Sequence, residues 1–550
     1  MSLARVPSRL ALLAALALMP AASSCGSGTA QDEGPEAAVP GHPGAASATP
    51  SERRERLAAE PPAAIAGATV PSCPPPRDLE AEARERDAAE RAAFERTYPR
   101  HGVVYHFLAQ VFAQPSNRAR VVGYMRRGAT FRAKAAVAGP GCPGGWHEVP
   151  GDGFVCQGIG FQIGDVPQSF EPSPVPPALE DTLPYAYAKT LRDDIPQFWT
   201  LPTAEQRTAA AHVLTQLRAE DERLAALAAA APPTGDSAAP TAEGDASAQA
   251  DAIVAPPPPG QSEVVGNAVA TPADALPDYL RMRMLKGFYV SLDRSEDSES
   301  GHFYRTVRGG YVDRDELVMA TPPSMRGVVL GGDWRLPMAF VFRSGVRRSH
   351  IDPASGAVVD DGTIERHTPL VVAQDDLWRR DKRYVVSDEG VLVREPSIRL
   401  VGQMARPPQI RATDRWIHVT LSTQVLVAYE GDVPVFATLV STGKEGHTSP
   451  TGIFQIQSKH ISTTMDDSAS PDGAYSIEDV PWTMYFEGNF ALHGAFWHNA
   501  FGQVRSHGCV NLAPADARWL FSWSTPTLPA SWHGVFADRH RPGTWVVITE

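Results

Sequence analysis

Phe490-Ala491-Leu492-His493-Gly494, followed by Arg505-Ser506-His507-Gly508-Cys509-Val510-Asn511-Leu512, decides how this chain is read. His493 closes one apolar run and Cys509 opens another, so both belong at strand ends that can face a single cleft. A thiolate is the strongest nucleophile among the side chains, and a nearby imidazole can generate it by taking the proton. Gly508 lets the backbone approach a substrate carbonyl closely. Its N–H is expected to be free and, with that of Cys509, to form an oxyanion hole. The set has the makings of a Cys/His acyl-transfer site. A buried structural cysteine and a zinc site built from His493, His507 and Cys509 are the alternatives. No well-placed fourth ligand or water-activating Glu follows, so neither metal nor cofactor is expected. Arg505 reads equally well as a grip on a substrate carboxylate or as a surface residue. Trp482, Tyr485 and Phe486 read as core or as a substrate platform, with Tyr485 the candidate contact.

Working outward, residues 416–421 and 424–429 are two strand-like runs joined by Ser422-Thr423. Residues 433–441 form a third run, and Ser449-Pro450-Thr451-Gly452-Ile453-Phe454 turns into another. This spacing describes a compact, mostly β domain over residues 409–550.

The combination of His493-Gly494, the twelve residues between His493 and Ser506, and Ser506-His507-Gly508-Cys509-Val510-Asn511 resembles the signature of the bacterial L,D-transpeptidases. Gln424, Leu426 and Val427, Gly443-Lys444, Pro450-Thr451-Gly452-x-Phe454, and Ala513-Pro514-x-Asp516-Ala517-x-Trp519 fit the same family. The resemblance spans about residues 412–549 and implies a β-sandwich-like catalytic domain that cross-links cell-wall peptide stems. It casts Cys509 as nucleophile, His493 as base, the Gly494 carbonyl as its orienting group (many members have Ser there), and His507 as a support. Ser506, Arg505 and Asn511 are the remaining substrate-side candidates; Asn511 stands where other members carry Arg. The implied partners are a donor tetrapeptide stem and an amine acceptor. A hydrolase using the same residues, an L,D-carboxypeptidase or cross-link-cleaving enzyme, is the nearest alternative. A non-catalytic wall-binding lipoprotein is a second.

Upstream, residues 1–24 read as an export signal: Arg5 and Arg9, a short apolar run, then small residues. Cys25 follows directly, which resembles a bacterial lipoprotein site and implies a lipid anchor, with Gly26 favouring the outer membrane of a cell envelope. The apolar run is too short to span a bilayer core of about 30 Å. Residues 25–76 are poor in large apolar side chains and read as an unfolded tether. A tether of about 50 residues has an r.m.s. reach of roughly 40 Å. Residues 77–230 are expected to hold a helix, a small β module and a second helix. Residues 231–276 look like an interdomain linker, and residues 277–408 like one or two β-rich accessory domains. Cys142 and Cys156, expected on two strands flanking a tight turn, are the economical disulfide pair in an exported chain. Cys73 has no assigned partner.

A weak internal echo links Trp146-x-x-Val149 and Gly153-Phe154-Val155 with Tyr304-x-x-Val307 and Gly310-Tyr311-Val312. Each copy is preceded by a glycine-bearing pair, Arg127-Gly128 or Lys286-Gly287. The arrangement resembles small bacterial Src-homology-3-like barrels, although two unrelated hairpins would share the same positions. The expected architecture is therefore mainly β and multidomain: small barrel-like modules and helical segments, then the catalytic domain.

Bulk composition agrees. The 550 residues include 50 Pro and 45 Gly, and 43% of them are hydrophobic, which argues against a polytopic membrane protein. The 63 acidic against 50 basic residues give a net charge of −13, and a net acidic chain has no electrostatic reason to track a nucleic-acid backbone, so no nucleic-acid partner is expected. Asp466, Asp467, Asp472, Glu478, Asp479 and Glu487 read either as an acidic flap that attracts a cationic acceptor amine or as a solvated loop.

Overall fold

In the computed structural model the described residues are 79–169, 172–230, 276–467 and 475–550. The export signal, Cys25, the tether, Cys73, residues 231–275 of the expected linker and Asp472 of the expected flap lie outside them. Residues Leu79–Glu550 form one compact unit. The chain is mainly β, with three α-helices among the described residues: Leu79–Thr97, Ala204–Ala230 and Pro514–Trp523.

The C-terminal region is built from two sheets that share the strand Val433–Ser441. On one side it pairs with Val425–Glu430, which pairs with Arg415–Thr420. That strand runs parallel to Trp545–Thr549, which in turn pairs with Gly452–Gln455. On the other side, the end of Val433–Ser441 pairs with Val510–Leu512. The sheet then continues through Phe490–Gly494, Tyr475–Glu487 and Ser458–Asp467 to Gly534–Phe536. Ile417, Val419, Leu426, Phe486, Leu492, Val510 and Leu520 fill the space between the layers. Burying each such side chain contributes roughly 1.5–3 kcal/mol. The helix Pro514–Trp523 begins directly after the strand bearing Asn511, with proline at its first position.

Upstream strands pack onto this frame. Arg100–Val104 pairs with Thr130–Ala133 and Phe161–Gly164, and Trp532 and Val535 of the C-terminal region complete the core of that module. Cys142 and Cys156 are bonded, with Cα atoms 5.6 Å apart. Cys156 lies on a strand opposite Trp146, but Cys142 sits in the turn before Trp146 rather than on a strand.

Residues 231–276 do not separate two modules as an interdomain linker would. Strands Ala186–Thr190 and Ile195–Phe198 precede that stretch, yet they pair with Tyr289–Ser298, Leu317–Met319 and Leu280–Met284 beyond it. Pairing across such a distance cannot be seen from local composition. Both hairpins of the internal echo form, with Glu148 opposite Phe154 and Tyr304 opposite Val312. The clearer repetition of order lies elsewhere. Tyr289–Ser298, Gly301–Thr306, Tyr311–Asp313, a 3₁₀ turn at Arg314–Glu316 and Leu317–Met319 follow one another. The same order recurs in Pro369–Arg379, Lys382–Ser387, Leu392–Arg394, a 3₁₀ turn at Glu395–Ser397 and Ile398–Val401.

Candidate active site

Strands Phe490–Gly494 and Val510–Leu512 run parallel, with Leu492 opposite Val510 and His493 opposite Asn511. Side chains alternate along a strand, so Ala491, His493 and Asn511 share one face, and Cys509 joins them when the register is continued by one residue. On the neighbouring strand Tyr485 is the partner of Ala491. Tyr485, Ala491 and Cys509 therefore form a row, in which the small alanine leaves room between the phenol and the thiol. A cavity of about 1100 Å³ is lined by Cys509, His493, Tyr485, Asn511, Trp497 and Arg505, among others. Trp482 and Phe486, by contrast, are core residues.

His493 is buried, and its Nδ1 lies 3.4 Å from the Gly494 carbonyl oxygen. Trp497 stacks on the imidazole at 5.7 Å between centroids. Burial lowers the His493 pKa to about 4, with the Gly494 carbonyl opposing the shift. Burial also raises the Cys509 thiol to about 11, with the Ala491 backbone acting in the other direction. The thiol donates to the Asn489 carbonyl at 3.7 Å. At neutral pH the resting pair is thus a thiol and a neutral imidazole, not a thiolate–imidazolium pair. Burial likewise pushes the Tyr485 phenol up, so it stays an O–H donor beside Cys509.

The loop before Cys509 is held from within. Ser506 Oγ accepts from the Gly508 N–H at 3.1 Å and donates to the Cys509 carbonyl at 2.5 Å. Ser449 Oγ donates to the Gly508 carbonyl at 2.7 Å. Two expectations change. The Gly508 N–H is not free for an oxyanion, because Ser506 occupies it. Ser506, for its part, spends its hydroxyl on the loop. The Cys509 N–H has no hydrogen-bond partner among the described residues. Gly508 itself is required: its φ is +115°, and an added Cβ would lie 2.5 Å from the Phe490 ring. Gly508→Ala is expected to slow acylation of Cys509 roughly 10–100-fold by displacing it, since a misplacement of about 1 Å can cost that much. The rate of adduct formation checks this, with thermal unfolding followed alongside.

Asn511 is buried, and its amide lies 2.9 Å from His498 Nε2. Burial, with smaller contributions from Arg505 and His493, lowers the His498 pKa to about 3, so the ring is neutral. The Ala500 N–H donates to His498 Nδ1 at 3.1 Å, which puts the ring proton on Nε2. Asn511 must then turn its amide oxygen to that proton. Its other amide atom is then a buried N–H donor, unpartnered among the described residues.

His507 lies on another wall, stacked on Tyr475 at 5.2 Å and edge-on to His447 at 4.7 Å. Arg505 is exposed at the cavity rim. The acidic flap is not assembled as expected. Glu478 and Asp479 are buried against the upstream module, where Asp479 accepts from Ser291 Oγ at 2.5 Å. Of the described carboxylates only Asp466 lines the cavity, against Lys286, Lys444 and Arg505. Among the described residues no group of three or more His, Cys, Asp or Glu side chains is arranged to hold a metal.

Residues 414–548 match the family model of the YkuD L,D-transpeptidase catalytic domain. The same region is also similar to solved structures. The catalytic domain of an Enterococcus faecium L,D-transpeptidase is 22% identical; the match covers 25% of this chain and 97% of that one, with a TM-score of 0.20. An L,D-transpeptidase from Stackebrandtia nassauensis is 23% identical, with 26% and 57% covered and a TM-score of 0.18. One from Xylanimonas cellulosilytica is 22% identical, with 26% and 64% covered and a TM-score of 0.19. No curated protein matches the chain.

Proposed function

We propose that this protein is a peptidoglycan L,D-transpeptidase with Cys509 as its nucleophile. The observation that carries the reading is the face shared by Cys509, His493, Tyr485 and Asn511 on one cavity wall. Cys509 Sγ attacks the carbonyl of an L-residue in a tetrapeptide stem while its proton passes to His493. The Gly494 carbonyl holds the ring with Nδ1–H toward it, leaving Nε2 as the base. With the thiol near 11 and the imidazole near 4, attack and proton transfer occur together. The Cys509 N–H and the Tyr485 O–H stabilise the developing oxyanion, while Asn511, held by His498, fixes the wall beside them. The proton then goes to the departing amine of the D-residue, leaving a thioester on Cys509. An amine from a second stem attacks that thioester and releases the cross-linked product. The protein would act outside the cytoplasm, in the cell envelope, where an export signal over residues 1–24 and lipidation at Cys25 would hold it to the outer membrane.

Intact-mass analysis after incubation with a tetrapeptide donor tests the mechanism. The expected result is a mass increase equal to the stem minus its terminal D-residue. An unmodified protein with every donor tried would end the reading. Product analysis with an added amine acceptor then separates cross-link formation from hydrolysis.

A further inference from the structure

The upstream module reaches into the catalytic cavity. Lys286, Gly287 and Tyr289 line it together with Cys509 and Arg505. Residues 285–288 form a tight turn in which the Phe288 N–H donates to the Leu285 carbonyl at 3.2 Å, and Gly287 has φ +92°. Glycine at the third position of such a turn and a side chain at its second corner are the features of a type II turn, here with Lys286 at the corner.

The turn is fastened at three points. The Lys286 N–H donates to Asp193 Oδ1 at 2.8 Å, Thr190 Oγ1 donates to the Leu285 carbonyl at 2.6 Å, and the Gly287 N–H donates to the Thr190 carbonyl at 3.3 Å. A fastened turn presents its corner side chain with little ordering cost on binding. The Lys286 ammonium is exposed and makes no ion pair among the described residues. Arg505 is likewise exposed without an ion pair there. It stands near the module boundary, close enough to Tyr289 to act on that phenol. Strand Tyr289–Ser298 is also tied to the catalytic sheet through Tyr289 opposite Ile477. The cavity rim therefore carries an excess of cations, and the module places one of them.

We propose that Lys286 of the upstream module and Arg505 of the catalytic domain together bind a free carboxylate of the peptide stem, so that the module helps set substrate specificity. The proposal rests on the stem-peptide reading above. Lys286 and Arg505 touch no reacting atom; they hold a charged group of the substrate beside the nucleophile. Charge-assisted hydrogen bonds from two cations favour a carboxylate over the isosteric amide, which carries no charge and offers one fewer acceptor.

Two tetrapeptide donors that differ only in a side-chain carboxylate or its carboxamide provide the test. The wild-type protein is expected to prefer the carboxylate stem in kcat/KM by roughly ten-fold or more. Lys286→Ala should bring that ratio close to one by raising KM for the carboxylate stem, with kcat little altered. Lys286→Arg should keep the preference, and Lys286→Glu should invert it. Raising the salt concentration should erode the wild-type preference. If wild type forms a thioester with both stems and Lys286→Ala leaves the ratio where it was, the clamp is wrong and the transpeptidase reading stands. If wild type forms a thioester with neither stem, both are overturned.

Discussion

Cys509→Ala is expected to abolish stem turnover and thioester formation, and His493→Ala to reduce acylation by roughly 10²–10⁴-fold, the usual worth of a positioned general base. Neither change should unfold the protein, because Cys509 opens on the cavity and the sheet register around it is carried by backbone pairing. The two pKa directions sharpen the expectation. Burial raises the thiol to about 11 and lowers the imidazole to about 4. Alkylation of Cys509 by a neutral reagent should therefore climb with pH through the neutral range and level off only in strongly alkaline solution. A preformed ion pair would instead give a plateau near neutrality, so a plateau there would refute the neutral-pair description. Acylation by a bound stem should behave differently. It needs His493 unprotonated, which holds above roughly pH 4, and should then stay flat across neutral pH because base and nucleophile exchange one proton within the complex.

Asp479→Ala should cost about 3–5 kcal/mol of folding stability, because it strands a buried guanidinium. The side chains of Arg126 and Asp479 are 8% and 2% exposed, with Nη1 and Oδ1 2.6 Å apart. Ser462 Oγ donates to the same carboxylate at 3.0 Å and Ser291 Oγ at 2.5 Å, while the Tyr187 hydroxyl donates to the Asp479 carbonyl at 2.5 Å. Arg126 ends the strand Val121–Arg126, Tyr187 and Ser291 lie on the paired strands Ala186–Thr190 and Tyr289–Ser298, and Ser462 and Asp479 lie on Ser458–Asp467 and Tyr475–Glu487. One carboxylate thus ties three parts of the chain together. Burial works against this carboxylate, but Arg126 outweighs it and holds the group well below the usual carboxylate range. A depressed folded-state value means the stabilisation is complete above the unfolded pKa of about 4 and is lost as pH falls below it. Urea unfolding at pH 7 and at pH 3 checks both parts: the gap between wild type and Asp479→Ala should be large at pH 7 and smaller at pH 3. An equal gap at both values would remove the ion pair as its source.

Much of the candidate site could be read directly from the chain, because several of its residues lie in two short segments. His493 and Cys509 are sixteen positions apart and end adjacent strands, and the apolar runs around them announced those strands. Tyr485 was legible only as one of three aromatic residues. Trp482 and Phe486 turned into the core, and only strand pairing opposite Ala491 placed Tyr485 beside the thiol. The Gly508 N–H looked free because its acceptor is a side-chain hydroxyl two residues away, and a loop's internal hydrogen bonds depend on dihedral angles that residue types do not specify. The acidic run before the site misled for a related reason. Strand alternation would have exposed one of Glu478 and Asp479, but Asp479 has φ +53°, the regular alternation breaks there, and both carboxylates are buried against Ser291.

By itself the sequence marked the candidate residues and the frame that bears them: a cysteine, a histidine and a glycine-bearing loop within a mostly β domain. Those are local matters, settled by residue type, spacing and the period of apolar residues. Tertiary structure alone decided which groups surround the thiol and what charge the cleft presents. It brought Lys286 to the cavity rim and Arg126 to Asp479. It also joined residues 186–198 to the strands beyond residue 280. Such contacts form between positions far apart in the chain, where the gain from burial and pairing must exceed the entropy of closing long loops. Nothing in a local stretch records that balance.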